Sequence, residues 1–135
     1  MLPLVAVESS RRHQHLSRGS CLEAVDKVLK ELPEAEEYSD TSSKAFKGDI
    51  GEHFCYTEWW NSTVVEIGVH HGHGTALLSR IFAQVIAIDM NSTSIRTSER
   101  LNEGQPNIVH IRFNTWKDDW WRLASHQVRV VMIDA

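Results

Sequence analysis

The sequence predicts a doubly wound α/β domain on a parallel sheet, and three observations carry that prediction. Four short apolar runs rich in β-branched residues alternate with segments whose apolar residues recur at helical spacing. The runs are close to continuously apolar, as strands covered on both faces are. A glycine-rich turn follows the first run and opens the first of the intervening helices, the context in which such glycines carry meaning. A length of 135 residues suits one domain, and 41% hydrophobic with 24% charged residues is the mixture of a chain that buries a core.

Three segments are expected. Residues 1–19 read as a disordered leader. Its apolar start, Leu2 to Val7, is short for a signal-peptide core, has no basic residue before it and runs into Glu8. The basic stretch Arg11 to Arg18 leaves an organelle transit sequence as the alternative. Residues 20–60 read as an N-terminal helical segment. Leu22, Val25, Val28, Leu29 and Leu32 fall at three- and four-residue steps, with Ser20 as N-cap and Pro33 closing the run. The polar stretch Ser39 to Ser43 reads as a loop. Residues 44–60 hold Phe46, Ile50, Phe54, Trp59 and Trp60, enough to pack on a sheet, while Gly48 and Gly51 argue against a clean helix.

Residues 61–135 carry the regular pattern. Thr63 to Val69 is the first strand. Thr75 to Ala83 is a helix with Leu77, Leu78, Ile81 and Phe82 on one face, and Val85 to Ile88 is the second strand, ending at Asp89. Ser92 to Asn102 is a helix closed by Gly104 and Pro106. Ile108 to Phe113 is the third strand. Thr115 is placed to cap a helix through Ala124, with Trp116, Trp120, Leu123 and Ala124 on its inner face. Val128 to Ile133 is the fourth strand, ending at Asp134. Strand and helix in strict alternation imply right-handed crossovers.

Composition excludes several classes. Eighteen acids against fourteen bases leave a net charge of −4, so the chain lacks the basic field of a nucleic-acid grip. The charge is uneven: residues 21–60 hold ten acids and four lysines, and read as a solvated helical face. No apolar stretch nears the ~20 residues of a membrane span. The two cysteines, Cys21 and Cys55, are far apart in sequence and are expected to be reduced, inert thiols.

The chemistry concentrates in Val65-Glu66-Ile67-Gly68-Val69-His70-His71-Gly72-His73-Gly74-Thr75. Glycines there permit positive φ and close approach of the backbone to a ligand, and a helix N-terminus favours an electron-rich group. Gly68-x-x-x-Gly72-x-Gly74 matches the nucleotide loop of NAD(P)-dependent short-chain oxidoreductases. That family has no acid at the place of Glu66, and its fourth strand leads into an Asn-Asn-Ala-Gly turn where this chain has Ile133-Asp134-Ala135. The stretch Glu66 to Gly72 resembles instead the first motif of the class I S-adenosylmethionine-dependent methyltransferases, with His70 at the middle glycine of the commonest version. A bulky residue there, and the Ile-Asp-Ala strand end, are similar to the O-methyltransferase-like branch. The resemblance covers residues 62–135, the N-terminal half of a Rossmann-like domain.

That resemblance implies a strand order of 3-2-1-4 and a cofactor-binding set of Glu66, Gly68, Val69, His70, Gly72, Asp89, Met90, Asn114 and Asp134. Gly68 and Gly72 would let the loop approach the methionine moiety, and Glu66 would anchor its amino group directly or through water. Asp89 is placed to accept both ribose hydroxyls, with helix capping or solvation as the plainer role. Met90 would lie on the adenine face and Asn114 would read its edge, though Asn114 is also a natural turn residue. His70, His71 and His73, with His53, are a weaker zinc candidate than a solvent-facing or cofactor-lining group. Asp134 is the better metal candidate, because metal-dependent O-methyltransferases use an acid there, which admits a divalent metal as second cofactor. The tryptophans read as sheet-covering groups.

The expected activity is S-adenosylmethionine-dependent methyl transfer to oxygen of a small molecule, with no catalytic residue identified. The alternatives are the short-chain oxidoreductase and a non-catalytic cofactor-binding or interaction module. No nucleic-acid or membrane partner is indicated, and the location is expected to be cytoplasmic. The fourth strand is apolar on both faces yet is followed by two residues only. The domain is therefore expected to be truncated after strand four, with self-association through that exposed strand.

Overall fold

A computed structural model describes residues 15, 17–33, 43–123 and 127–134. Most of the expected leader, the polar loop before Ser43 and residues Ala124 and Ala135 lie outside the described residues.

Helix α1 (Arg18–Lys30) starts one turn earlier than expected. Its N-cap is Ser17, whose hydroxyl accepts from the Ser20 backbone N–H at 3.1 Å, while the Ser20 hydroxyl accepts from the Ser17 N–H at 3.3 Å. Ser20 is thus the third residue of a capping box, not the cap. Helix α2 (Lys44–Phe54) is capped by Ser43, which accepts from the Phe46 N–H, and the short α3 (Thr57–Trp60) follows. The two glycines do not break α2. Gly51 is there because α1 lies against it: a Cβ at that position would meet Val25 Cγ1 at 2.7 Å.

That close approach overturns the reading of the cysteines. Cys21 and Cys55 form a disulfide, their Cα atoms 5.6 Å apart and their side chains fully buried. Thirty-four residues of separation in sequence vanish once α1 and α2 pack side by side. Disulfides persist mainly in oxidising compartments, so the bond and the cytoplasmic expectation pull in different directions.

The sheet is wholly parallel, in the order β3-β2-β1-β4. Its strands are β1 (Thr63–Ile67), β2 (Gln84–Asp89), β3 (Ile108–Arg112) and β4 (Val128–Ile133). Helix α4 (His73–Ile81) joins β1 to β2, and α5 (Ser92–Leu101) joins β2 to β3. This is the Rossmann-like α/β fold that the alternation predicts. On one face Val64, Val85 and Ala87 pack with Leu77 and Ile81 of α4, Ile95 of α5, Cys21, Val25 and Val28 of α1, and Ile50 of α2. The next residues along the strands, Val65, Ile86 and Ile88, turn to the other face and meet Phe113 and Leu123.

That second face corrects the expected helix from Thr115 to Ala124. Turns occupy residues 115–117, and a single 3-10 turn spans Trp120–Leu123. Asn114 Oδ1 accepts the Trp116 N–H at 3.0 Å and Asp119 Oδ1 accepts the Trp121 N–H at 3.0 Å, so side chains satisfy the backbone that a helix would otherwise use. Leu123 is buried, but Trp116 is 93% and Trp121 80% exposed. Trp59 and Trp60 behave as expected and pack against the first core.

Candidate functional site

The carboxyl ends of β1, β2 and β3 and the residue after β4 surround a cleft of about 430 Å³. That volume is in the ordinary range of small-molecule sites, ~300–1,000 Å³. It lies over the carboxyl ends of β1 to β3 and reaches, through Asp134, the point between β1 and β4 where the chain order reverses, the usual ligand position in such sheets. Gly68, His70, Asp89, Met90 and Asp134 line it, as do Asn91, Ser94, Phe113, Thr115 and Trp116.

The glycine turn forms the floor. Gly68 has φ +90°, and its N–H donates to Ile88 O at 3.0 Å, so it stays tied to β2. His70, at φ +55°, is the single described non-glycine residue in the left-handed region. Its backbone therefore does what glycine does in the commoner motif. Gly72 has φ +95° and sits on α5, where a Cβ would meet Ser98 Cα at 2.7 Å. The Asn102 amide donates to Gly72 O at 3.1 Å, and Ser98 Oγ lies 2.7 Å from His110 Nε2. These contacts brace the turn at both ends.

The carboxylates divide into two environments. Asp89 is half-buried at the cleft. Its Oδ2 accepts from the N–H groups of Val69 (2.9 Å) and His70 (3.4 Å), and its Oδ1 from Asn91 at 2.8 Å. It therefore braces the turn, a role beyond the ribose binding and capping foreseen for it. A carboxylate has about four acceptor sites, so capacity for a ligand hydroxyl is left. Glu66 is 2% exposed and lies behind the turn, not on the cleft wall, accepting from Thr75 Oγ1 at 2.5 Å. Burial pushes its carboxyl up to about 8; the Thr75 bond and Lys47 oppose the rise, while Asp134 and Asp89 add to it.

The other expected residues spread out. Met90 is exposed on the cleft wall, its carbonyl accepting from Arg112 Nε at 3.2 Å. Val69 is buried and contributes its N–H to Asp89. Asn114 is engaged in its own turn, its N–H donating to Asp118 Oδ2 at 2.7 Å, and it is not among the cleft-lining residues. His70 and His71 have ring centroids 4.7 Å apart, and His71 and His73 6.4 Å. Among the described residues no group of three or more His, Cys, Asp or Glu is arranged to hold a metal, so the metal reading of Asp134 gains no support. No described helix is long and apolar enough to cross a membrane.

Sequence reasoning missed Lys47, Ser94, Phe113, Thr115 and Trp116 as neighbours of the site. Ser94 had a usable signal, since the first turn of a helix following Asp89 must face the same cleft. Phe113 directly follows β3 beside Asp89, its N–H donating to Asp89 O at 2.9 Å. Lys47 and Trp116 had none.

No protein-family model matches the sequence, and no curated protein does. Among solved structures the chain is similar to phosphoethanolamine N-methyltransferase 1 of Haemonchus contortus, solved with phosphoethanolamine and S-adenosylhomocysteine. The identity is 20% over 76% of this chain, with a TM-score of 0.49. The match takes in 22% of that chain, so this chain spans about a fifth of its length.

Proposed function

We propose that the domain binds S-adenosylmethionine and belongs to a methyltransferase acting on oxygen of a small molecule. The observation that carries the reading is the pairing of a left-handed glycine turn with two strand-end acids in different settings, Glu66 behind the turn and Asp89 on the cleft. The residues present fit such a cofactor. Asp89 has one acceptor site left for a ribose hydroxyl, and Met90, Phe113 and Trp116 supply apolar surface for a purine. Asp134, on the cleft wall, supplies an acceptor for an ammonium, and Glu66 lies behind the turn. When bound, that cofactor supplies an electrophilic methyl group on a sulfonium.

The chain's own part is to orient and to exclude water. The braced turn fixes one end of the cleft in advance, which spares ordering at the moment of binding. The outer edge of β4 supports a second element of the reading, self-association. Among the described residues no strand pairs with it, and Val131 and Ile133 are 54% and 69% exposed.

Calorimetric titration with S-adenosylmethionine, S-adenosylhomocysteine and NAD(H) tests the cofactor. Binding of the methyl donor or its product in preference to NAD(H) is expected. A response to NAD(H) alone would replace this reading with the short-chain oxidoreductase.

A further inference from the structure

Two carboxylates, Asp89 and Asp134, line the cleft, and among the described residues lining it there is no lysine or arginine. The exposed Arg112 comes to its rim, where its Nε is taken up by Met90 O. Free backbone N–H groups are the other means by which a strand-to-helix turn holds an anion. Those around this cleft already have partners within the protein. Gly68 donates to Ile88 O and Gly72 to Val69 O, while Val69 and His70 donate to Asp89 Oδ2. At the start of α5 the Asn91 N–H donates to Asp89 Oδ1, and those of Thr93 and Ser94 donate to Asn91 Oδ1. From the turn onward the lining includes Gly68 and His70 but no residue of α4, so the N-terminus of that helix stands outside the cleft.

We propose that the cleft takes a nucleoside ligand without phosphate, and that Asp89 is the residue that determines this specificity. Its carboxylate is an anion of the protein's own, seated on the N–H donors that a phosphate would need. The inference deepens the methyl-donor reading, whose ligand is an adenosine bearing sulfur at its 5′ carbon, and it rests on the adenosine part of that reading. A phosphate entering the cleft must either displace Asp89 from the donors it holds or lie beside two carboxylates without a counter-charge. Either course costs affinity that an uncharged thioether keeps. Dinucleotides, joined through a diphosphate, fall under the same exclusion. That exclusion is independent of the sequence pattern, because it follows from where the N–H groups of the turn point.

The test compares 5′-methylthioadenosine with adenosine 5′-monophosphate by calorimetry on the whole chain. The two differ only in the 5′ substituent, so adenine and ribose contributions cancel in the ratio of their affinities. Wild type should bind the thioether at least about tenfold more tightly than the phosphate. D89A should weaken the thioether, through the lost ribose contact, yet narrow the ratio to within about threefold, since the freed N–H groups of Val69 and His70 then face the phosphate. D134N removes a charge but frees none of those donors, and should narrow the ratio less. A wild-type ratio near one, an unchanged ratio in folded D89A, or a D134N ratio narrowed as far as that of D89A would overturn the proposal. Should D89A not fold, or bind neither ligand measurably, D89N decides by the same ratio. S-adenosylhomocysteine is the third ligand. If it fails to bind while the thioether outbinds the phosphate, the methyl-donor reading falls and this inference stands; if it binds while the ratio is near one, the reverse holds. Binding of neither nucleoside to wild type would also sink the inference.

Discussion

The two flanks of β1 read alike in sequence and behave differently in the fold. Val85-Ile86-Ala87-Ile88 on one side and Val130-Val131-Met132-Ile133 on the other are equally apolar. All four residues of the first run are buried, because α4 and α5 cover one face and Phe113 with Leu123 cover the other. In β4 the residues alternate between half-buried and exposed. Val130 and Met132 reach the first core, while Val131 and Ile133 face solvent. Apolar composition states what a strand can bury; what packs on it decides what it does bury.

The sharpest way to break this contrast is Ile86→Ala. Ile86 is fully buried in the second core, and the truncation should cost about 3–4 kcal/mol in urea unfolding. A loss under 1 kcal/mol would mean that this face is loosely packed. Next comes Asp89→Ala, expected to weaken S-adenosylhomocysteine binding by about 2–4 kcal/mol. Since Asp89 also holds the N–H groups of Val69 and His70, faster amide exchange at those two residues should accompany the loss. Unchanged affinity would place the ribose elsewhere.

Glu66 extends the comparison to pH. Its folded-state midpoint of about 8 lies above its ordinary 4.5. Between those values the folded chain holds a proton that the unfolded chain has lost, so stability falls as pH rises, by up to about 1.4 kcal/mol per pH unit. Glu66→Gln should flatten that slope, measured as denaturation midpoints from pH 5 to 8. An identical slope in the variant would show that Glu66 does not titrate there. The smallest effect on stability belongs to Val131→Lys, within about 0.5 kcal/mol, as for other exposed positions. The same variant should reduce self-association in sedimentation. A wild type that stays monomeric at high concentration would remove the edge-pairing proposal.

Much of the fold was legible because it depends on local pattern. β-branched runs set the strands, and Gly68, Gly72 and Asp89 could be placed from spacing alone. What escaped depends on tertiary approach. Cys21 meets Cys55, and Lys47 meets Glu66, only through the packing of α2, whose glycines argued against a helix at all. The left-handed backbone of His70 was hidden because a histidine does not advertise it. The tryptophans after Asn114 misled because their spacing fits a helix, while Asn114 and Asp119 satisfy the backbone in turns.

The bond between Cys21 and Cys55 closes a covalent ring around everything between them, including the polar stretch before Ser43. A protease that cuts once inside that ring makes two chain fragments without releasing either. Such a nicked molecule would run as a single band until a thiol reductant is added, and then as two. In the chain-entropy view, closing a ring of this size contributes about 4 kcal/mol to stability. Reduction would therefore free the unfolded chain rather than remove a contact of the cleft, and lower the stability of the whole domain by about that amount.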